Sequence, residues 1–553
     1  MATTARRRAD PLATHEVLNQ PPPLQDRNLF TDHPALVEAL EREGGGWARE
    51  RAEEVGAIWG GEPLEWGVQA NEFPPRLRTH DRYGNRVDEV DFHPAWHRLM
   101  ALGRAHELHG LPWTAEREGA HVARAALYLT ATQAEAGFAC PTTMTFAAVP
   151  ALRATPQLAA EWEPLLTGTS YDPQLRPAGE KGAAVCGMAM TEKQGGSDVR
   201  ANTTTATPAD GGDGGPGAEY ELHGHKWFCS APTSDLFLML AHAPEGLSCF
   251  AVPRILPDGS RNVFRIQRLK DKLGNRSNAS SEIELAGTWG RMVGEPGRGV
   301  PTIIEMVGHT RLDCVIGSAA GMRWAVANAT WHAAHRAAFG RLLAEQPLMR
   351  NVLADLALES EAATVLAMRL ARAYDEGDEA LRRLGTAVGK YWVCKRFPPL
   401  AAEALECLGG TGYVEESGMP RIYREAPLNS VWEGSGNVNA LDVLRALARQ
   451  PAALDAYLAE VGLAAGADAR LDGFVARLRA ELADPEELEL RARRLVEGLA
   501  LALQGSLLVR HAPPAVADAF CAARLAGDGG LAFGTLPRGV DAQAIVARHT
   551  PPA

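Results

Sequence analysis

Between about Ala183 and Leu285 the chain alternates in short runs, such as Glu219-Tyr220-Glu221-Leu222-His223, Leu236-Phe237-Leu238-Met239-Leu240 and Leu247-Ser248-Cys249-Phe250-Ala251-Val252. Turn-formers separate the runs, among them Pro208-Ala209-Asp210-Gly211-Gly212 and Pro257-Asp258-Gly259. Such runs between turn signals read as strands, so this stretch predicts a compact antiparallel β-domain. On either side the period changes. In Trp96-His97-Arg98-Leu99-Met100-Ala101-Leu102 and Gly119-Ala120-His121-Val122-Ala123-Arg124-Ala125-Ala126-Leu127, small and apolar residues recur at three and four, the spacing of one helix face. The expected architecture is mainly α with a central β-domain.

The boundaries follow from the same texture. Residues 1–45 are Pro-rich and irregular (Gln20-Pro21-Pro22-Pro23, then Gly44-Gly45-Gly46) and read as an extended arm packing on a neighbour. Residues 46–182 form an N-terminal helical domain, 183–290 the β-domain and 291–448 a helical bundle broken by loops. The Ala-, Leu- and Arg-rich remainder, 449–553, is an additional helical domain with amphipathic stretches such as Leu488-Glu489-Leu490-Arg491.

A chain of 553 residues is long enough for two to four domains and a large core. Its eight cysteines include no C-x-x-C pair and no regular interval, which argues against a zinc site or a disulfide framework and suits reduced thiols in a cytoplasm. Three arginines near the start are followed by no apolar h-region, and no run could span a bilayer, so neither export nor a membrane is expected. His93 and His97 are interrupted by Pro94 and have no nearby third ligand, so no metal is expected. The net charge of -12 predicts no general attraction to phosphate backbones. From Asp442 onward there are about twelve Arg, no Lys and about fourteen Asp and Glu, with Arg491-Ala492-Arg493-Arg494 the densest basic run. Any nucleic-acid contact would need a patch assembled by folding or by several subunits.

Three segments carry chemistry. Met190-Thr191-Glu192-Lys193-Gln194-Gly195-Gly196-Ser197-Asp198-Val199 lies where helices give way to strands. Its glycines admit close approach of a flat or phosphorylated ligand, and Thr191 and Ser197 add hydroxyls. A turn capped by Ser197 and Asp198 reads equally well. Gly224-His225-Lys226-Trp227-Phe228-Cys229-Ser230 sets aromatics beside a hydroxyl on a strand, which suits an isoalloxazine ring, though by itself it fits core packing better. Asn429-Ser430-Val431-Trp432-Glu433-Gly434-Ser435-Gly436-Asn437 places one carboxylate between a Trp and a loop that starts a helix. Apolar walls would raise its pKa to suit a base for a weakly acidic C–H; a charge complementing the helix N-terminus is the other reading. Gly294-Glu295-Pro296-Gly297-Arg298-Gly299 has no βαβ context and reads as a turn into a helix.

In this order the three segments resemble the T-E-x-x-x-G-S-D, G-x-K-x-W-I-T-N-like and Y-E-G-T-like motifs of the acyl-CoA dehydrogenase family, and Arg336-Ala337-Ala338-Phe339-Gly340 with Gln346 and Gly409-Gly410-Thr411-Gly412 add to the match. The resemblance covers roughly residues 50–445 and is strongest to the AidB-like branch. That branch shares Asn19-Gln20-Pro21, Lys270-Asp271-Lys272-Leu273-Gly274-Asn275-Arg276-Ser277-Asn278 and Val431-Trp432-Glu433-Gly434-Ser435-Gly436-Asn437. It implies a fold of N-terminal α domain, antiparallel β-barrel or sandwich and four-helix bundle, plus the extra helical domain.

The resemblance also implies roles. FAD would be held by Met188, Met190, Thr191, Gly196, Ser197, Phe228, Cys229, Ser230, Gly409, Gly410, Val431, Trp432, Gly434, Ser435, Gly436 and Asn437. Arg336, Phe339 and Gln346 would reach its pyrophosphate and adenosine end, often in a neighbouring subunit of a homotetramer. Glu433 would be the base that takes the α-proton of an acyl-CoA thioester, with Arg311 nearby and electrons passed to a separate acceptor. Thr310 stands where some members carry the base on an earlier helix. The branch is described as acting in the response to DNA alkylation, binding double-stranded DNA through a region matched by Arg445 and having weak, isovaleryl-CoA-like dehydrogenase activity. A short- or branched-chain acyl-CoA dehydrogenase without a DNA role is the alternative.

Overall fold

The computed structural model describes residues 14–552; residues 1–13, part of the expected arm, lie outside the described residues. The remainder of that arm is not extended throughout. Pro34 starts a helix, Pro34–Arg42, and Ala35, Leu36, Ala39 and Leu40 fall on one buried face. Proline fits the first helical position because its missing N–H has no partner there anyway. The apolar face packs on helices Ala120–Thr132 and Pro347–Asp375.

Within the expected helical domain the chain also makes a two-stranded hairpin, β1 (Arg76–His80) and β2 (Arg86–Asp91). Its turn is held by Asp81, whose Oδ1 accepts from the Tyr83 and Asn85 amides at 2.8 and 2.9 Å. The strands are polar, with cross-strand Arg78 on Glu89 at 2.6 Å, so apolar periodicity did not mark them.

The middle sheet has seven strands: β3 (Cys186–Ala189), β4 (Thr205–Pro208), β5 (Glu219–Ser230), β6 (Leu236–Ala243), β7 (Gly246–Pro253), β8 (Phe264–Leu269) and β9 (Ser280–Val293). Five pairings are antiparallel, as expected, but β3 and β4 each lie parallel to β6, which corrects the expectation of a purely antiparallel domain. The long segment between β3 and β4 carries the chain back so that both enter from the same end. The β4-β5-β9-β7-β6 ring closes through Thr205 and His242. Tyr220, Leu222, Phe237, Met239, Phe250, Phe264 and Ile283 fill one apolar cluster.

The bundle is built from helices Gly299–His335, Pro347–Asp375, Glu379–Cys407 and Gly436–Arg449. After it come Pro451–Gly462, Ala469–Ala483, Leu488–His511, Pro514–Phe520 and Ala542–His549. These last helices have no core of their own. Leu499, Leu503, Leu507 and Phe520 belong to the cluster that runs from Phe30 through the bundle, and Trp392 donates to Gln504 Oε1 at 3.0 Å. The additional C-terminal helices therefore pack their apolar faces into the bundle's core. Two arginines fasten them further, Arg524 to Asp355 and Arg548 to Glu361. All eight cysteines are free and buried. No helix among the described residues is long and apolar enough to cross a membrane.

Candidate active site

Glu433 lies in the short loop before helix Gly436–Arg449 and sits at φ 57°, a left-handed conformation uncommon for a residue with a side chain. Gly434 follows at φ 93°, where a Cβ would come within 3.3 Å of Arg311 and Asn439 nitrogens. Strain of this kind, about 1–3 kcal/mol, persists only where neighbours over-determine it. Four neighbours do so. Arg311 Nε donates to the Glu433 carbonyl at 3.0 Å, and Lys390 Nζ donates to the carbonyls of Trp432 (2.7 Å) and Gly434. Asn439 Nδ2 donates to Gly434 O at 2.5 Å, and Trp432 Nε1 to Asn429 Oδ1 at 2.8 Å. Arg311 is itself oriented by Asp442 at 2.7 Å, which Arg383 also grips.

The carboxylate faces Thr310, whose hydroxyl donates to Oε2 at 2.7 Å. The residue is half-buried as a whole, and its carboxyl is desolvated by the atoms around it. Burial pushes its pKa above the ordinary carboxylate range, against Thr310, Lys390 and Arg311, which favour the ionised form. A carboxylate so placed can accept a proton from a weak carbon acid near neutral pH.

The wall beside it comes from three distant segments. Met188, Met190 and Trp432 are half-buried against one apolar cluster. In the 190–204 segment Glu192 is buried and ion-paired to buried Lys226 at 2.9 Å. Burial alone would raise its carboxyl, but Lys226 and the Thr203 and Thr204 donors outweigh that and lower it. This knot fixes Thr191, whose carbonyl accepts from Trp227 N at 2.8 Å. Gly196 is required because a Cβ would lie 2.4 Å from Thr191 Oγ1; Ser197 is exposed.

On β5, Phe228 remains 49% exposed and Ser230 is half-buried, its Oγ 3.3 Å from that of Ser280. Cys229 departs from expectation. Its thiol is buried among the barrel side chains, where burial pushes its pKa up to about 12, so only its backbone is on the outer face's side. Strand alternation between Phe228 and Cys229 sends them to opposite faces. Val431 and Ser435 are exposed, and Gly436 leaves room beside Lys395 Nζ. Asn437 Oδ1 accepts from Arg493 Nε at 2.8 Å, so the C-terminal helices touch this loop directly.

Arg336, Phe339 and Gln346 are elsewhere. Thr310 and Arg336 bracket 26 residues of continuous helix, which at 1.5 Å per residue separates them by about 39 Å. Gly409 and Gly410 follow helix Glu379–Cys407, whose Lys390 lies at the Glu433 level, 19 residues or about 28 Å earlier. The residues expected at the two ends of FAD therefore lie at opposite ends of the bundle within one chain. Phe339, fully exposed at φ 53°, lies at the end away from Glu433.

Arg445 is exposed on helix Gly436–Arg449, with Arg449 one turn further on, and neither has an ion-pair partner among the described residues. The densest basic run is less available than its sequence implied. Arg494 pairs with Glu481 at 2.6 Å, Arg491 binds the Asp484 and Glu486 carbonyls, and Arg493 is on Asn437.

The sequence reading missed Lys390 and Asn439. A lysine inside the apolar run Val388-Gly389-Lys390-Tyr391-Trp392-Val393 was the available signal, since a buried cation must have a partner.

Helical domain, closed strand ring and long-helix bundle, with a single carboxylate on the loop before the last bundle helix, define an acyl-CoA dehydrogenase scaffold. Family models agree: the adaptive response protein AidB N-terminal domain matches residues 19–173, the acyl-CoA dehydrogenase middle domain 187–288 and the acyl-CoA dehydrogenase C-terminal domain 297–448. AidB of Escherichia coli (strain K12) is 47% identical over 94% of this chain and 96% of its own. Among solved structures, Caenorhabditis elegans ACDH-11 in complex with C11-CoA aligns with TM-score 0.84 and 26% identity, covering 94% of this chain and 95% of that one. The Bd2924 apo-form aligns with TM-score 0.82 and 28% identity over 89% and 99%. The chain belongs to the AidB branch of the acyl-CoA dehydrogenase family, FAD-dependent oxidoreductases acting on CH–CH donors.

Proposed function

We propose that the protein desaturates an acyl-CoA thioester at the α,β position with Glu433 as the base. The observation that carries this reading is a raised carboxyl, desolvated by its surroundings and clamped at φ 57°, on the residue after Trp432, which packs with Met188 and Met190 against one apolar cluster. The wall fits a flat cofactor: Phe228 is left half-exposed on a strand whose neighbours Lys226 and Cys229 are buried. FAD, when bound, takes the hydride that leaves the β-carbon. Glu433 accepts the α-proton, Thr310 and Arg311 hold it in position, and the apolar wall keeps water away. C11-CoA bound to the nematode relative supports a CoA thioester as substrate. Expected cofactor residues about 39 Å apart along one helix support a cofactor shared between subunits of a homo-oligomer, which the expected homotetramer would satisfy. The free, buried thiols support a reducing, cytoplasmic setting.

The test is anaerobic titration of the flavin band with isovaleryl-CoA. Wild type bleaches and Glu433→Gln does not; bleaching of both would remove Glu433 from the role.

A second reading has its own observation. Exposed, unpaired Arg445 and Arg449 share one helix face, which supports duplex DNA binding and a part in the alkylation response. Replacing both with Ala should weaken duplex retention uniformly across sequences and lower the salt slope by about 1–2. An unchanged slope would exclude this face.

A further inference from the structure

Asn19, from the Asn19-Gln20-Pro21 segment, has a left-handed φ of 57° and uses its side chain as a substitute strand. Its Nδ2 donates to the Ala337 carbonyl and its Oδ1 accepts from the Ala337 amide, both at 2.8 Å. Its own carbonyl accepts from Arg336 NH1 at 2.6 Å. The strap continues along the end of helix Gly299–His335. Trp331 Nε1 donates to the Pro22 carbonyl at 2.8 Å, and the Arg27 guanidinium lies 4.9 Å from the Trp331 ring centre.

The hairpin under this strap, Ala337–Ala338 with Arg341–Leu342, is two residues a side. Isolated ladders of that length do not hold themselves. Within its own segment it is supported by Leu343 N on Arg336 O (2.8 Å) and Gln346 Nε2 on Ala338 O (3.1 Å). Arg336, Arg341 and Arg350 surround it, and none has a carboxylate at ion-pair distance among the described residues. Arg336 gives one N–H to Asn19 and keeps the rest of its donor fork for another acceptor. Cations left without carboxylates around a pinned hairpin are set up for a phosphorylated ligand.

We infer that Asn19 is a positioning residue for the cofactor: the strap locks Arg336 and its hairpin into the geometry that receives the dinucleotide phosphates. This rests on the shared-cofactor reading above. It assigns the N-terminal strap a task in cofactor retention rather than in packing alone, and Asn19 acts through Arg336 without touching the cofactor.

The experiment follows FAD release from the full-length holoprotein on dilution, read as recovery of flavin fluorescence. Variants are Asn19→Ala, Asn19→Asp, Arg336→Gln and the Asn19→Ala/Arg336→Gln double. Expected are release about tenfold faster for Asn19→Ala and for Arg336→Gln, and a double no faster than Arg336→Gln alone, as for two residues on one path. Asn19→Asp keeps the acceptor and loses the Nδ2 donor, so its release is intermediate. Far-UV circular dichroism and elution volume of the four holoproteins should match wild type, which separates positioning from general unfolding. Wild-type release from Asn19→Ala and Asn19→Asp with fast release from Arg336→Gln overturns the Asn19 assignment and leaves the shared-cofactor reading intact. Additive effects in the double also overturn it. Wild-type release from Arg336→Gln removes the shared-cofactor reading itself.

Discussion

The hydroxyl of Thr310 lies 2.7 Å from Oε2 of Glu433 and donates to it, on the helix turn where Arg311 holds the Glu433 carbonyl. Two consecutive residues thus set the proton affinity and the backbone position of one carboxylate. Burial raises that carboxyl and Thr310 pulls it down.

Thr310→Val should move the acid limb of the flavin-reduction rate to higher pH. A hydrogen bond to a charged group contributes about 1.5–3 kcal/mol. The sign follows from the base needing to be ionised: losing a donor to the carboxylate raises its pKa, so more of it is protonated at a given pH. Stopped-flow bleaching across pH checks this, and an unmoved limb would refute it.

Lys390→Met should lower the reduction rate by about a hundredfold or more while the chain still folds. Two carbonyls lose their donor, each at about 1–3 kcal/mol, and a displaced base of about 1 Å is enough for that rate loss. Single-turnover reduction alongside urea unfolding measures both effects. Full activity would show that the left-handed Glu433 is held without Lys390.

Arg124 and Asp313 form a bidentate pair at 2.5 and 2.6 Å, both 1% exposed, with the guanidinium 3.6 Å from the Phe146 ring centre. Arg124→Met strands the buried carboxylate and should destabilise by about 3–5 kcal/mol, whereas Arg124→Met/Asp313→Leu should recover most of it. Denaturant midpoints decide, and equal losses in single and double variants would contradict the charge argument.

Glu425 accepts from Asn275 N at 2.7 Å, and burial, then the Glu135 charge, push its carboxyl up to about 7 from an ordinary 4.5. The folded state then holds a proton that the unfolded state has released. Stability should fall as pH rises between about 4.5 and 7, by about 3 kcal/mol in full. Glu425→Gln should flatten that decline. If the variant's unfolding free energy keeps the wild-type slope across the window, another group is responsible.

Much of the fold was legible because it depends on local period. The β-domain stood out by its alternating runs, and the long helices by theirs. The hairpin β1–β2 did not, because its strands are polar and stabilised by charge pairs. The short helix Pro34–Arg42 was hidden among proline and glycine, although its apolar spacing was present. The parallel placement of β3 and β4 against β6 could not be read from either strand, since pairing direction is decided by the route of the connection.

The sequence by itself determined the scaffold and singled out Glu433 as the carboxylate proposed here as the base. Three motif segments in fixed order, each with its own residue chemistry, leave little freedom in what they build. Tertiary structure alone decided what surrounds that carboxylate and what supports it. Thr310 reaches Glu433 across 123 positions, Arg493 reaches Asn437 across 56, and Asn19 grips Ala337 across 318. Such pairs carry no periodicity, because a hydrogen bond of 2.7–2.9 Å depends on where folding brings two backbones, not on their spacing along the chain.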